Sequence, residues 1–195
     1  MSPMNFERGF KSWAERTSRS LRQEVGLSLH DPLSPAALAA YLDVTLLTPR
    51  DVPGMTSAVL DQLLQDDPGG WSAVSVLQAR RAIVIYNPRH SRGRQASDIV
   101  HELAHLILGH EPATVVMSQD GSFVMRSYDQ VQEDEANWLA WCLLLPREEL
   151  LRSKRLALST AEIAETYGVT ETLVNFRLRM TGVESQLRAR RSRFG

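Results

Sequence analysis

The chain has 195 residues, 43% of them hydrophobic and 23% charged, with a formal net charge of −1. That is the balance of a globular protein able to bury a core, and it excludes any general attraction for nucleic acid or anionic membrane. A single cysteine, Cys142, excludes an internal disulfide, and the longest strongly apolar run, residues 138–145, is too short to cross a bilayer as a helix. Glu7, Lys11, Glu15, Arg16 and Arg19 interrupt the N-terminal stretch, so no secretory signal is expected and the expected location is the cytoplasm.

Residues 4–26 read as an amphipathic helix with Phe6, Phe10, Trp13 and Leu21 as apolar anchors and Gly26 at its end. Ser34 before Pro35 has the form of an N-cap followed by proline in the first turn, predicting a short helix through Leu38, Ala39 and Leu42. A strand over 44–47 follows, then a helix over 55–64. The cluster Asp66-Asp67-Pro68-Gly69-Gly70 marks a turn. Residues 71–77 and 81–86 read as two strands, the second rich in β-branched residues. A long helix over 95–108 closes at Gly109. Asp120-Gly121 suggests a small hairpin within 117–128. Residues 130–145 form a helix stopped by Pro146, and 147–154 form another. Residues 159–182 read as helix, turn at Gly168, helix, with Thr160 as the cap of the first helix and Thr170 starting the second. The basic segment 188–193 is expected to fray.

The chemistry concentrates on His101-Glu102-Leu103-Ala104-His105. A helix advances about 100° per residue, so His101 and His105 lie roughly 40° apart and one turn separated in height. Both imidazoles can reach one ion, while Glu102 reaches water on that ion rather than the ion itself. Catalytic zinc takes three protein ligands, so a third is required. His110 is nine residues beyond His101, and on a helical wheel it faces away. It also misses the metzincin spacing, where position 111 is Glu111 and position 108 is Leu108. Glu133, Ala136, Asn137, Ala140 and Leu144 share one face of the next long helix, whose small residues permit close packing. Glu133 is therefore the expected third ligand, with Asn137 hydrogen-bonding a ligand from behind. Asp134 and Glu135 fall off that face and read as a solvated first turn favoured by the helix dipole. Cys142 reads as a buried core thiol. His30 and His90 sit in turns without a metal pattern.

Two stretches of the chain resemble the ImmA/IrrE family of metallo-endopeptidases. One runs from Tyr86-Asn87-Pro88-Arg89-His90-Ser91 through Arg92 and Arg94-Gln95 into His101–His110. The other is Glu133-x-Glu135-Ala136-Asn137-Trp138-Leu139-Ala140 followed by Leu143-Leu144-Leu145-Pro146. The pattern Glu24-Val25-Gly26-Leu27, Asp31-Pro32, Ala37-Leu38-Ala39 and Leu42-Asp43-Val44 is similar to the start of stand-alone members, and Ile163-Ala164, Gly168-Val169-Thr170 and Arg177-Leu178 are similar to a common family tail. The resemblance implies zinc ligation by His101, His105 and Glu133, with Glu102 as catalytic acid/base. It also implies cleavage of an Xre-type transcriptional repressor, expected to be a different chain because the first 30 residues show no separate repressor-like DNA-binding domain. Manganese or iron also suits two histidines and a carboxylate.

The expected fold is α+β: a mainly helical, zincin-like metallopeptidase core with a small sheet over residues 1–150, then a small helical region with a basic tail over 151–195, including the helix-turn-helix-like segment. Arg94, Arg126 and Tyr128 remain open as donors to the oxyanion. An extended substrate is expected to add to an exposed edge of the 71–86 sheet. Two other readings compete. One is a DNA-binding regulator in which Arg177, Arg179, Arg188, Arg190, Arg191 and Arg193 contact phosphate, although Leu173, Val174, Phe176 and Leu178 leave its second helix few groups for base edges. The other is a metal-dependent adaptor that binds a partner without cutting it.

Overall fold

The computed structural model describes residues 4, 6–28, 30–78, 81–110, 115–117, 123–125 and 129–194. Helices dominate, with one three-stranded sheet and one two-stranded hairpin among the described residues, an α+β arrangement. Helix α1 (Phe10–Glu24) starts later than its apolar pattern suggests; Phe6 lies ahead of it, stacked on Phe10 and edge-on to Trp138. The face that α1 buries is Ala14, Ser18 and Arg22, one residue per turn, while Trp13 is more than a third exposed. The cap at Ser34 forms as expected, its hydroxyl accepting from the Ala37 N–H at the start of α2 (Pro35–Tyr41).

Strand β1 (Val44–Leu47) leads through α3 (Ser57–Asp61) and a π turn to β2 (Ala73–Gln78) and β3 (Arg81–Tyr86). The order is β1-β3-β2, with β3 central, parallel to β1 and antiparallel to β2. Central placement suits Arg81–Tyr86, whose β-branched residues fill both faces and whose Val84 is fully buried. Strand β2 is an edge strand; Val74 and Val76 point outward and Ser75 points the other way. Helix α4 (Arg92–Leu108) lies against β2 and β3.

Strands β4 (Val115–Met117) and β5 (Phe123–Met125) form the small hairpin; Asp120 and Gly121 lie outside the described residues. Helix α5 (Gln130–Leu144) packs on α4 more extensively than any other pair of elements among the described residues, and Val100, Leu103 and Ala104 of α4 share one buried cluster with Ala136, Leu139, Ala140 and Leu143 of α5. Their three alanines are small enough for close backbone approach.

Pro146 ends α5 because it has no N–H to give to the Cys142 carbonyl. That carbonyl instead accepts from Ser18 Oγ at 2.7 Å, and the next one, of Leu143, accepts from Arg22 at 2.7 Å. Burying a serine and an arginine on α1 is thereby explained: both satisfy the C-terminal end of α5. Helices α6 (Arg147–Arg155), α7 (Thr160–Tyr167), α8 (Glu171–Thr181) and α9 (Val183–Phe194) complete the chain. Ser159, not Thr160, caps α7, in a reciprocal box with Glu162, whereas Thr170 caps α8 as expected. The basic segment 188–193 continues in α9 rather than fraying. Ile163, Leu173, Val174, Leu178 and Val183 share one buried cluster with Val84, Val100 and Leu139.

Candidate metal centre

His101, Glu102 and His105 lie in the second half of α4, capped at its start by Ser91 and ended by Gly109 in the left-handed conformation (φ 68°). The helix begins three residues earlier than its apolar periodicity implies, because Ser91 accepts from the Arg94 N–H. His101 and His105 occupy one face, as their spacing requires, with Nε2 atoms 3.1 Å apart. Glu133, in the first turn of α5, closes the group. Its Oε2 is 3.3 Å from Nε2 of His101 and its Oε1 is 3.4 Å from Nε2 of His105. These three residues are the single group among the described residues able to hold a metal ion. A tetrahedral ion with bonds of about 2.0–2.1 Å sets its ligand atoms about 3.3–3.4 Å apart, so the donors have the spacing and the nitrogen–oxygen chemistry that zinc takes.

The charges around these donors describe a place for a cation. Burial disfavours a charged His101, but the hydrogen bond with Glu133 and the negative charges of Glu102 and Glu133 more than offset it, raising its pKa above the ordinary value. The same hydrogen bond holds the Glu133 carboxyl below its usual range. His105 is pushed down to about 4, first by burial and then by the positive charge of His101. Two imidazole nitrogens and a carboxylate thus converge on one place, where a metal ion would serve all three groups. Asn137, one turn beyond Glu133, also favours the protonated His101. Nδ1 of His101 is buried without a hydrogen-bond partner among the described residues.

The family model of the M78 peptidases, described as the IrrE N-terminal-like domain, matches residues 61–179. The chain belongs to this family. No curated protein matches it. The M78 match spans β2 to α8 and so includes both helices that carry the donors. It makes the protein a member of a peptidase family and agrees with the ImmA/IrrE resemblance.

Three side chains of this M78 site escape a reading by helical wheel. His110 does not face away. The left-handed Gly109 reverses the chain, the His110 N–H donates to the His105 carbonyl at 3.0 Å, and the ring turns back so that its Nδ1 lies 3.0 Å from Nδ1 of His105. Glu135 is not a solvated residue of the opposite side either: its Oε2 lies 3.3 Å from Nε2 of His110, and both side chains are largely buried. The third is Ser75 of β2, whose hydroxyl donates to Glu102 Oε2. The presence of Gly109 was the available signal for His110; nothing in the local sequence pairs Ser75 with a residue 27 positions away.

Of the residues left open for the oxyanion, Arg126 and Tyr128 lie outside the described residues, while Arg94 bonds Ser72 and lies 3.8 Å from Asp98. Cys142 is fully buried, and burial pushes its thiol up to about 12. His30 pairs with Glu149, and His90 lies 2.7 Å from Asp98. Arg177, one of the arginines considered for phosphate contact, is fully buried, donating to Glu15 at 2.6 Å and to the Leu145 carbonyl at 3.1 Å. It is unavailable to a nucleic acid while the fold is intact. No helix among the described residues is long and apolar enough to cross a membrane.

Proposed function

We propose that this M78 protein is a zinc-dependent endopeptidase in which His101, His105 and Glu133 hold the metal and Glu102 is the catalytic acid/base. The convergence of the two imidazole Nε2 atoms, 3.1 Å apart, on the Glu133 carboxylate, whose Oε2 and Oε1 lie 3.3 Å and 3.4 Å from them, with Glu102 on the same helix as the histidines, carries the reading. When bound, zinc supplies a lowered pKa for attacking water and polarisation of the scissile carbonyl. Glu102 follows His101 directly, so its carboxylate faces water at the site rather than joining the ligands. There it accepts the proton of the attacking water and delivers it to the leaving amine. Ser75, donating to one carboxylate oxygen, leaves the other free for that proton.

Strand β2 supplies the route for substrate. Its outer edge is unpaired among the described residues, and its inner face meets Glu102 through Ser75, so an extended peptide added alongside runs past the acid/base. Asn137 is read as a residue that orients His101 from behind. The zincin-like core, the peptidase unit over 1–150 and the helical region over 151–195 belong to the same reading. So do cytoplasmic action and an Xre-type repressor as substrate, which rest on the ImmA/IrrE resemblance.

The test pairs the full chain with repressors encoded by neighbouring genes and compares wild type with Glu102→Gln. Retained metal and abolished cleavage are expected, since a general acid/base is commonly worth about 10²–10⁴-fold in rate. Cleavage that survives the substitution removes Glu102 from its role. Binding of a repressor without cleavage by the zinc-loaded wild type would favour the adaptor reading.

A further inference from the structure

Hydrogen bonding around His105 has a direction, set by the carboxylate at its far end. An ionised Glu135 can only accept, so the proton shared across the 3.3 Å contact sits on Nε2 of His110. A neutral imidazole protonated at Nε2 has Nδ1 as an acceptor. With His110 in that neutral form, Nδ1 of His105, 3.0 Å from it, is the donor; a doubly protonated His110 would reverse the bond, and nitrogen NMR of the two rings distinguishes the two states. With its proton on Nδ1, His105 keeps a bare lone pair on Nε2, and that atom is the one facing Glu133 and His101. Backbone geometry holds the arrangement in place through the Gly109 reversal and the His110 N–H bond to the His105 carbonyl. His101 has no counterpart to this chain, since its Nδ1 is buried unpartnered.

We propose that His110 and Glu135 are positioning residues that lock His105 in the Nδ1–H tautomer and aim its Nε2 lone pair at the metal position. The metal half of this statement rests on the ligand set proposed above; the tautomer half does not. Partners of this kind typically carry about 10–100-fold in metal affinity. A histidine free to exchange tautomers, or to rotate about its side chain, presents a ligand lone pair only part of the time.

The test uses the full chain with His110→Phe, which keeps a ring and removes both nitrogens; His110→Asn, which keeps an acceptor toward His105; and Glu135→Leu. Nitrogen NMR of the metal-free protein near neutral pH reads the tautomers, and competition with a chelator reads zinc affinity. The wild type should show Nδ1–H on His105 and Nε2–H on His110. His110→Phe and Glu135→Leu should mix the His105 tautomers and weaken zinc binding about 10–100-fold, and His110→Asn should recover most of both. An Nε2–H tautomer on wild-type His105 overturns the proposal. So does a folded His110→Phe with unchanged tautomer and affinity. If both His110 variants lower the unfolding midpoint alike and leave the tautomer untouched, the role is structural and the proposal fails. A wild type that binds no zinc but loses its Nδ1–H preference in His110→Phe supports the lock and refutes the metal reading.

Discussion

Glu133 stands at the first turn of α5, where the helix dipole already favours a carboxylate. Its side chain is 29% exposed, so its removal costs little packing. Its value lies in what it does for the two imidazoles, and Glu133→Ala should therefore separate stability from metal binding. Zinc affinity should fall by more than the roughly 10–100-fold carried by residues behind the ligands, while the unfolding midpoint of the metal-free protein stays close to wild type. Retained stoichiometric zinc in that variant would remove Glu133 from the ligand set. At this scale the sequence was legible where a regular helix relates the residues. His101, Glu102 and His105 are bound by one turn of α4, and Glu133 by the small residues that bring α5 close. It was illegible where regularity ends. His110 was placed by extending a helix through Gly109, whose positive φ turns the chain back. Glu135 falls off the Glu133 face and so reads as solvated, because a helical wheel holds no trace of the reversed His110 ring that meets it.

Elements are joined by backbone contacts that composition does not reveal. Gly93, in the first turn of α4, lies against the turn between α7 and α8, and a Cβ there would sit 2.7 Å from the Val169 carbonyl carbon and 3.0 Å from the Thr170 nitrogen. Backbone cannot move aside as a flexible side chain can. Gly93→Ala should cost about 1–3 kcal/mol, the range of an overpacked core, seen as a lowered denaturant midpoint; an unchanged midpoint would show that the two segments separate freely. The cap of α7 offers a pH test. Hydrogen bonds from the Ser159 hydroxyl and N–H hold the Glu162 carboxyl below its usual value. A carboxyl depressed on folding adds stability above its unfolded pKa and loses it as the pH falls through the folded one. The stability difference between wild type and Glu162→Gln should accordingly be full at neutral pH and shrink below about pH 4.5. A difference constant with pH would mean that the carboxylate charge plays no part in the cap. Sequence reading came within one residue here, taking Thr160 for Ser159. Both residues have hydroxyls, and only the reciprocal Ser159–Glu162 spacing distinguishes them.

Across the whole molecule, the end of α5 is where distant parts of the chain meet. Arg177 is fully buried, with Glu15 and the Leu145 carbonyl as its partners and one guanidinium nitrogen unpaired. Removing the acid leaves an uncompensated buried cation, so Glu15→Ala should destabilise the protein by about 3–5 kcal/mol, toward the lower figure because Glu15 is 24% exposed. A loss below about 1 kcal/mol, the worth of a surface pair, would show that Arg177 finds water or another acceptor. Such a network is invisible in sequence: Glu15 and Arg177 are 162 positions apart, and each alone reads as an ordinary surface charge.

The serine and arginine of α1 that take the freed carbonyls of α5 are 124 and 121 residues away from them along the chain. Because α1 precedes α5 in the chain, it leaves the ribosome with a polar stripe that has nothing to bond except water, and its partners at Cys142 and Leu143, and the arginine that Glu15 awaits at 177, follow more than a hundred residues later. Ser18, Arg22 and Glu15 are thus early-made halves of late-made contacts, and the newly synthesised chain must keep that stripe solvated until α5 and α8 have been made.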